Sequence, residues 1–355
     1  MKDVILDMEA IKRPYTGLGR FSLNLSQALL KLNEDLTFGF YGSNLEMHRG
    51  MCYRANPLHR IFPTRLPKSK IWHAMHQEFL YIPKYSDLVL TIHDMNNMCM
   101  NKSESFKKRF LRQLEEKIEH VEKRGGHIVF ISKFAQQQAL HYFDIPEDKM
   151  SVVYNGVTFS ESAAKPAFQI PEKYFLTIGV VAEKKNFHTL IDLIELRDES
   201  LIIVGDTRTT HLNRERPYAN MIRKQIKEKN LENRVFLVGT VNEAEKSYLI
   251  ENCNAFVFPS LLEGFGIPPI ESMAKGKPTF VSRKTSLPEI CGNHAHYFTS
   301  FDPHKMADVI EVGLKNFNES KANKMIEWAN QYSWDRAAKS YLDIYKKLRD
   351  TQQNA

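Results

Sequence analysis

Cysteine is scarce in this chain, and its few thiols are far apart. Four occur among 355 residues, with no CxxC pair: Cys52, Cys99, Cys253 and Cys291. Isolated thiols argue against a structural zinc site and against a disulfide framework. The composition therefore fits a reducing compartment.

Long apolar runs are absent as well. No stretch approaches the roughly 18 apolar residues that a membrane-spanning helix needs. The apolar N-terminal stretch carries Asp3, Asp7 and Glu9, which is not the pattern of a secretory signal peptide. We therefore expect a soluble, cytoplasmic protein.

The motifs of several common enzyme classes are missing too. The chain has no Asp-x-Asp, no His/Cys cluster with metal-ligand spacing, no Walker-type phosphate loop and no Gly-x-Ser-x-Gly elbow. Metal binding, P-loop nucleotide hydrolysis and serine-hydrolase chemistry therefore lack support.

Basic residues exceed acidic ones, which gives a formal net charge of +7. The excess is concentrated in two segments of the first half, His48 to Lys70 and Phe106 to Arg112. Such segments could contact an anionic membrane surface or a phosphate-bearing substrate, and a solvated charged face is an equally good interpretation. No compact recognition motif supports nucleic-acid binding.

Short apolar runs alternate with helical patterns in two successive series. The runs are Val4–Leu6, Thr37–Tyr41, Leu88–Ile92, His127–Ile131 and Ser151–Tyr154, then Tyr174–Ile178, Leu201–Val204, Arg234–Val238, Ala255–Phe258 and Pro278–Val281. Continuous apolar strands separated by helices predict parallel sheets covered on both faces. The expected fold class is α/β, with two Rossmann-like, doubly wound domains facing each other across a cleft.

The small, polar segment Ser160–Ala167 predicts a linker between the domains. We expect an N-terminal domain over residues 1–165 and a C-terminal domain over residues 166–334. The apolar pattern over about 335–355 has helical spacing and predicts a terminal helix that packs back on the N-terminal domain.

Two carboxylates, Glu263 and Glu271, bracket a predicted strand-to-helix turn that contains Gly264, Phe265 and Gly266. Glycine lets backbone amides approach a ligand, and a carboxylate accepts hydrogen bonds from paired hydroxyls. Because ligands bind where the strands of a doubly wound sheet end, the stretch predicts a site for a polyhydroxylated ligand. The proline pair that follows suits the first turn of a helix, so Glu271 is expected in that turn, near free N–H groups. A solvated loop glutamate and a glutamate in the first turn of a helix would give the same pattern.

Three further places could carry chemistry. Gly17 and Gly19 follow the first predicted strand and open a helix, where backbone N–H groups can hold phosphate, although a simple turn has the same pattern. His93 ends a predicted strand and could donate a hydrogen bond to a sugar hydroxyl or phosphate, or could be a core histidine bonded to a carbonyl. Lys184 and Lys185 precede a helix, whose N-terminus repels positive charge. An anion bound between the lysines and the helix would offset this repulsion. The alternative is a solvated lysine pair.

Together these pieces resemble glycosyltransferase family 4, whose members are retaining enzymes of the GT-B fold. The longest match is the block Phe258–Gly276, which is similar to the family's Glu-x7-Glu signature. Shorter matches occur at Gly17–Arg20, Thr91–Asp94, Ile131–Phe134, Val153–Val157, Lys185–Asn186, Ser286–Ile290 and Tyr332–Trp334. The combined pattern resembles bacterial capsule and O-antigen mannosyltransferases.

The resemblance implies a GDP- or UDP-sugar donor on the C-terminal domain and a saccharide or lipid-linked acceptor mostly on the N-terminal domain. Glu271 would accept hydrogen bonds from the ribose, and Glu263 would face the transferred sugar. His93 would contact that sugar near the reacting carbon. Lys185 would neutralise the departing diphosphate, so neither a metal nor another cofactor is expected.

The glycines have implied roles as well. Gly17 and Gly19 would close over the phosphates, while the backbone from Gly264 through Phe265 to Gly266 would offer N–H groups to the sugar. The implied reaction is retaining transfer of a hexose, mannose first, in surface-polysaccharide biosynthesis. Catalysis would rest on positioning and charge stabilisation, with the departing phosphate taking the acceptor proton.

One position departs from the family's pattern. Val180 stands where many members have arginine, and Lys184 could replace that arginine as a point charge without the bidentate fork. Two other functions on the same twin-domain fold stay open. These are a nucleotide-sugar epimerase and a non-catalytic nucleotide-sugar or membrane-surface binding protein.

Overall fold

The computed structural model describes residues 1–12, 16–33, 35–43, 51–158, 162–208 and 214–353. The chain divides into two compact units, one formed by Met1–Gly156 with Tyr332–Ala355 and the other by Val157–Gln331. We call them the first and the second domain.

The first domain is built on a seven-stranded parallel sheet. Its strands are β1 (Lys2–Asp7), β2 (Phe38–Gly42), β3 (Met51–Arg54), β4 (Ser69–Ala74), β5 (Asp87–Ile92), β6 (His127–Phe130) and β7 (Met150–Val152). The order is β3-β2-β1-β4-β5-β6-β7, so the direction of winding reverses between β1 and β4. In doubly wound sheets ligands bind beside the carboxyl ends of the strands at such a reversal.

Helices cover both faces of this sheet. They are α1 (Gly17–Leu32), α2 (Asn96–Cys99), α3 (Glu104–Arg124), α4 (Lys133–Leu140) and, from the end of the chain, α12 (Trp334–Gln353). Successive residues of β4 show the alternation expected of a strand. Trp72 and Ala74 pack in the core cluster that contains α3 and α4, whereas His73 contacts α12.

The last helix is attached to the first domain by a buried polar network. His73 Nδ1 lies 2.6 Å from the Tyr345 hydroxyl, and its Nε2 lies 2.9 Å from Thr91 Oγ1. Thr91 Oγ1 in turn lies 2.9 Å from the Tyr341 hydroxyl. Burial lowers the pKa of His73 to about 3, so the ring stays neutral and serves both as donor and as acceptor.

The second domain has a six-stranded parallel sheet in the order β10-β9-β8-β11-β12-β13. The strands are β8 (Tyr174–Ile178), β9 (Ser200–Val204), β10 (Val235–Gly239), β11 (Ala255–Phe258), β12 (Thr279–Ser282) and β13 (His296–Phe298). This is the Rossmann order, and the winding reverses between β8 and β11.

Seven α-helices accompany this sheet in the described residues. They are α5 (His188–Glu195), α6 (Pro217–Glu228), α7 (Glu243–Asn252), α8 (Ile267–Ala274), α9 (Leu287–Cys291), α10 (Pro303–Lys315) and α11 (Glu319–Asn330). Apolar residues of α5, α6 and α10 share one core cluster with the strands, and α8 packs on β11 and β12 with α11 against it.

All ten predicted strands are confirmed to within a residue or two, and so is the α/β class with two Rossmann-like domains. The strands β3, β4 and β13 were not predicted. The central strand β4 reads Ser-Lys-Ile-Trp-His-Ala, with a single β-branched residue and a histidine. It is buried because both ring nitrogens of His73 have partners, which the local sequence does not reveal.

The predicted basic segment His48–Lys70 is partly secondary structure. Residues 48–50 lie outside the described part of the chain. Residues 51–54 form β3, and Lys70 lies in β4, where its ammonium pairs with Asp3 at 3.0 Å. Among the described residues of this segment, the exposed basic side chains are Arg54 at the end of β3 and Arg60, Arg65 and Lys68 between the strands.

The predicted linker also needs correction. The change of domain falls after Gly156, ahead of the predicted linker, of which residues 160 and 161 lie outside the described chain. The described remainder belongs to the second domain, where Ala164 N–H donates to the Ala244 carbonyl at 3.1 Å. This bond ties the segment to the start of α7.

Asp7, at the carboxyl end of β1, gives a testable pH dependence. Burial raises its pKa to about 7, against the hydrogen bond from the Glu9 N–H. A raised carboxyl pKa favours the fold below about pH 4, and this stability is lost as pH rises towards 7. The unfolding free energy of Asp7→Asn, relative to that of the wild type, should therefore rise by about 2–3 kcal/mol from pH 5 to pH 8, at 1.36 kcal/mol per pKa unit.

Urea unfolding of both proteins at the two pH values measures this gain. If the difference in unfolding free energy between Asp7→Asn and the wild type is the same at pH 5 and at pH 8, Asp7 does not have a raised pKa in the folded protein.

Candidate functional site

Two loops of the second domain meet at the carboxyl ends of β8 and β11, the strands on either side of the reversal. The loop after β8 carries Lys185, and the loop after β11 carries Glu263. The two residues are 78 positions apart in sequence, yet Lys185 Nζ donates to Glu263 Oε1 at 2.5 Å. The fold therefore places a cation and a carboxylate at the edge where doubly wound sheets bind ligands.

Neighbouring groups bury most of the Lys185–Glu263 pair. Their side chains are only 10% and 11% exposed. Ser260 Oγ donates to the same Glu263 oxygen at 2.6 Å, and the Lys185 ammonium lies 4.8 Å from the centroid of the Phe258 ring. Burial lowers the pKa of Lys185, while Glu263 acts in the opposite direction. The pair is thus held in a site of low polarity, where each charge depends on the other.

The loop after β8 is shaped to bring Lys185 to this position. Residues Glu183–Lys185 form a single 3-10 turn, and Asn186 follows in the left-handed region with a φ of 59°. A Cβ atom on Gly179 would lie 3.2 Å from Lys185 Cε, so glycine leaves room for the lysine stem. The carbonyl of Lys184 accepts the Leu261 N–H at 2.8 Å, which joins this loop to the one after β11.

The glycine turn after Glu263 is fixed by the following segment. Ser286 Oγ donates to the carbonyls of Glu263 and Phe265, at 3.2 and 3.0 Å. Gly266 has a φ of 102°, and a Cβ there would lie 2.7 Å from Leu287 Cδ2. The left-handed backbone at 266 therefore favours glycine, and a Cβ there would force the Leu287 side chain to shift. The predicted donation of N–H groups from Gly264, Phe265 and Gly266 to a sugar stays a prediction.

Glu271 lies deeper in α8 than predicted. The helix begins at Ile267, with Pro268 in its first turn as expected, so Glu271 stands in the second turn and not among the free N–H groups. Its side chain is buried, and Oε1 accepts a hydrogen bond from Lys246 Nζ at 2.5 Å. The same ammonium pairs with Glu243 Oε2 at 2.7 Å.

Lys246 is the residue of this site that the sequence did not reveal. It lies on α7, in the turn that begins with the capping box of Asn242 and Glu245, and the chain pattern there predicts only a solvated helix face. Its side chain is nevertheless 7% exposed, because α7 packs against α8. The ammonium engages one Glu271 oxygen and so fixes the carboxylate's orientation.

The first domain holds the other predicted residues, and two of them lie at the start of its first helix. Gly17 and Gly19 lie within the first turn of α1, which Thr16 caps by accepting the Gly19 N–H at 3.2 Å. That N–H is therefore already bonded within the domain. A Cβ on Gly17 would meet no atom of the described residues within 4 Å.

His93 is buried, and its ring has a defined role. Nε2 lies 2.8 Å from the Met75 carbonyl, so this nitrogen must carry the proton and donate. Burial lowers the pKa of His93, which keeps the ring neutral. The prediction that this ring donates a hydrogen bond to a sugar or phosphate is therefore wrong. The other ring nitrogen, Nδ1, carries no proton and can only accept a hydrogen bond, for example from a sugar hydroxyl.

Among the described residues, no group of three or more His, Cys, Asp or Glu side chains is placed to hold a metal ion. Within the same residues, no helix has the length and apolarity to cross a bilayer.

Comparison with known families agrees with this architecture. The model of glycosyl transferases group 1 matches residues 159–332, and the model of glycosyltransferase family 4 matches residues 72–161. The matched families, together with the two parallel Rossmann-like sheets, identify a glycosyltransferase of the GT-B fold. The matched residues span well over half of the chain, which belongs to glycosyltransferase family 4.

Curated relatives are similar at low identity. The chain is 25% identical to O-antigen chain mannosyltransferase B of Escherichia coli, over 97% of this chain and 100% of that protein. It is 28% identical to the O-antigen chain mannosyltransferase RfbU of Salmonella typhimurium, over 65% of this chain and 62% of that protein.

Solved structures share the fold. Sucrose-phosphate synthase from Thermosynechococcus elongatus superimposes with a TM-score of 0.77 at 15% identity, over 99% of this chain and 100% of that one. Anabaena Alr3699/HepE in complex with UDP-glucose gives a TM-score of 0.75 at 16% identity, over the whole of both chains.

Proposed function

We propose that this protein is a retaining glycosyltransferase that moves a hexose from a GDP- or UDP-sugar to a saccharide or lipid-linked saccharide in surface-polysaccharide biosynthesis. The observation that carries the proposal is the buried Lys185–Glu263 pair at the winding reversal of the second domain. Mannose is the first sugar to test, because the relatives named above are mannosyltransferases.

Each charged group of the site binds one part of the proposed donor. The diphosphate binds at the Lys185 ammonium, and the transferred sugar lies against Glu263, which Ser260 and Lys185 hold in place. The ribose hydroxyls donate to Glu271, whose orientation Lys246 fixes. Lys184 adds a second positive charge beside the diphosphate, in place of the arginine that Val180 replaces.

The proposed chemistry is a displacement at the anomeric carbon. The bond from that carbon to the diphosphate oxygen breaks, a bond from the carbon to the acceptor oxygen forms, and the acceptor proton passes to the departing phosphate. Lys185 stabilises the negative charge that develops on the leaving group, and no metal takes part in this step. The two products are the extended saccharide and the nucleoside diphosphate.

The state of Glu263 supports retention. Its Oε1 accepts two hydrogen bonds, one from the Lys185 ammonium and one from the Ser260 hydroxyl, so this oxygen is already engaged within the protein. The departing phosphate is then the group that takes the proton. Because it leaves from the face that the acceptor approaches, the anomeric configuration is kept.

A transfer assay tests this proposal. Purified protein is incubated with GDP-mannose, GDP-fucose, UDP-glucose or UDP-galactose and a panel of oligosaccharide and lipid-linked acceptors, with and without EDTA. We expect acceptor-dependent release of nucleoside diphosphate, together with an extended acceptor, at a rate that EDTA does not change. An altered free sugar without an acceptor product would indicate an epimerase, and binding without turnover a non-catalytic protein.

We also propose peripheral contact of the first domain with an anionic membrane at the cytoplasmic face. Between β3 and β4 the chain exposes apolar side chains, with Leu58, Ile61 and Phe62 at 48%, 70% and 46%. Arg60 and Arg65 are exposed beside them. Apolar side chains flanked by cations suit the boundary between headgroups and acyl chains.

The other basic segment, Phe106–Arg112, is a weaker candidate. Lys107 pairs with Glu104 at 3.3 Å, and Arg112 with Glu116 at 4.0 Å. This face of α3 carries both positive and negative side chains, as a solvent-exposed helix does.

Co-sedimentation with phosphatidylglycerol-containing vesicles at low salt measures the contact. We expect the double variant Ile61→Ser, Phe62→Ser to lose at least half of the bound fraction. Val312, exposed to a similar extent at 60% on α10 of the second domain, provides the matched control Val312→Ser. Equal sedimentation of the double variant and the wild type would contradict this surface.

A further inference from the structure

The first domain contains a cavity of about 300 Å³ beside α3. Its wall combines the segment after β4 with the first half of α3, and the side chains that matter here are Gln77, Phe79, Asn97, Phe106, Gln113 and Lys117. The volume lies at the lower end of the range for ligand pockets, about 300–1,000 Å³, which suits one sugar ring.

The position of the cavity connects it to the edge where ligands bind. The segment from Gln77 follows β4, one of the two strands at the winding reversal of this sheet. The Gln77 side chain accepts the His93 N–H at 3.1 Å and donates to the Asp94 carbonyl at 2.9 Å. The wall of the cavity therefore braces the His93–Asp94 segment at the end of β5.

The chemistry of the wall favours a neutral, polyhydroxylated ligand. Aromatic rings, such as those of Phe79 and Phe106, can cover the C–H face of a sugar, while amides such as that of Gln113 can bond its hydroxyls. The formal charges balance, with Arg109 and Lys117 against Glu78 and Glu116. An anionic ligand would therefore face as many carboxylates as cations.

Lys117 is the buried polar group of this wall. It is 7% exposed, its ammonium donates to the Gln77 carbonyl at 2.6 Å, and it lies 4.7 Å from the centroid of the Phe79 ring. An ammonium has three donors, so further protons are available to a hydroxyl. Burial lowers its pKa to about 8, which shows how little water solvates it.

We propose that this cavity binds one neutral saccharide unit of the acceptor, an inference that rests on the proposed function. Contact with Gln77 and Lys117 then couples acceptor binding to the segment that holds His93. The cavity thereby gives the first domain a specificity-determining site for the saccharide that is extended.

Direct binding tests the site without any donor. Saturation-transfer difference NMR is recorded with the methyl α-glycosides of mannose, glucose and galactose as probes. We expect a signal from at least one probe with the wild type, and at least a fivefold loss with Gln113→Trp, which fills the cavity. The control is Glu115→Trp, an exposed residue of α3 outside the cavity wall, which should keep the signal.

Three results would overturn the site: no signal from any probe, an undiminished signal with Gln113→Trp, or displacement of the sugar by inorganic phosphate. Kinetics then separate this inference from the proposed function. If transfer occurs but Gln113→Trp leaves the acceptor KM within twofold, where about tenfold is expected, the cavity site is wrong and the transferase stands. If no donor supports transfer while Gln113→Trp alone abolishes sugar binding, the transferase is wrong and the saccharide site stands.

Discussion

Lys185→Met is expected to lower kcat/KM for sugar transfer by about 10²–10³-fold, the usual loss when one preorganised charge-stabilising donor is removed from an active site. Lys185 is buried and paired with Glu263 at 2.5 Å, so no water replaces its charge readily. Most of the loss should fall on kcat, because the negative charge on the leaving diphosphate develops in the transition state. Initial rates with saturating acceptor and varied nucleotide sugar measure both constants.

Stability must be separated from chemistry in this experiment. Removing one partner of a buried ion pair costs about 3–5 kcal/mol, because the other charge is left uncompensated. The double variant Lys185→Met, Glu263→Gln removes both charges and should regain much of the melting temperature without regaining activity. If its kcat/KM returns to within tenfold of the wild type, the pair serves only the fold.

The second large effect is expected from Lys246→Met. This change leaves the buried Glu271 carboxylate without the ammonium that lies 2.5 Å away in the wild type. A hydrogen bond to a charged group contributes about 1.5–3 kcal/mol, so the KM for the nucleotide sugar should rise about 10- to 100-fold. The effect on kcat should be small, because the ribose is bound equally in the ground state and in the transition state.

Two comparisons distinguish positioning from mere stability. Lys246→Arg keeps the positive charge and should recover most of the donor affinity. Lys229→Met removes the partner of Asp192, an ion pair of 3.1 Å between the end of α6 and α5 that is more exposed, and should leave the donor KM unchanged. Should Lys246→Met lower the melting temperature but leave the donor KM unchanged, the lysine has no part in donor binding.

The location of the site was predictable from sequence, because it follows from where strands end. Apolar runs such as Ala255–Phe258 are short and bounded by turn residues, which fixes the adjacent loops at the carboxyl edge of a parallel sheet. Glu263 and Lys185 could thus be assigned to one edge. Their mutual ion pair could not, because residues 78 positions apart approach only through the order β8-β11.

Side-chain partners account for what the sequence did not show. The strand β4 is central, although its histidine argues against a buried strand, because Tyr345 and Thr91 satisfy the His73 ring from α12 and β5. The donor role expected of His93 is excluded for Nε2 by the Met75 carbonyl. Lys246 reads as a surface lysine until α7 is packed on α8. In each case a distant residue decides the state of a polar group.

The stereochemistry of the new glycosidic bond distinguishes retaining transfer from inverting transfer. GDP-mannose carries an α-linked sugar, and proton NMR of the reaction resolves the anomeric signals of donor and product. We expect an α-linked product from the first turnovers, with Glu263 held by Lys185 and Ser260 and the departing phosphate taking the proton. A β-linked product would contradict this mechanism, because inversion requires the acceptor to attack from the face opposite the departing diphosphate.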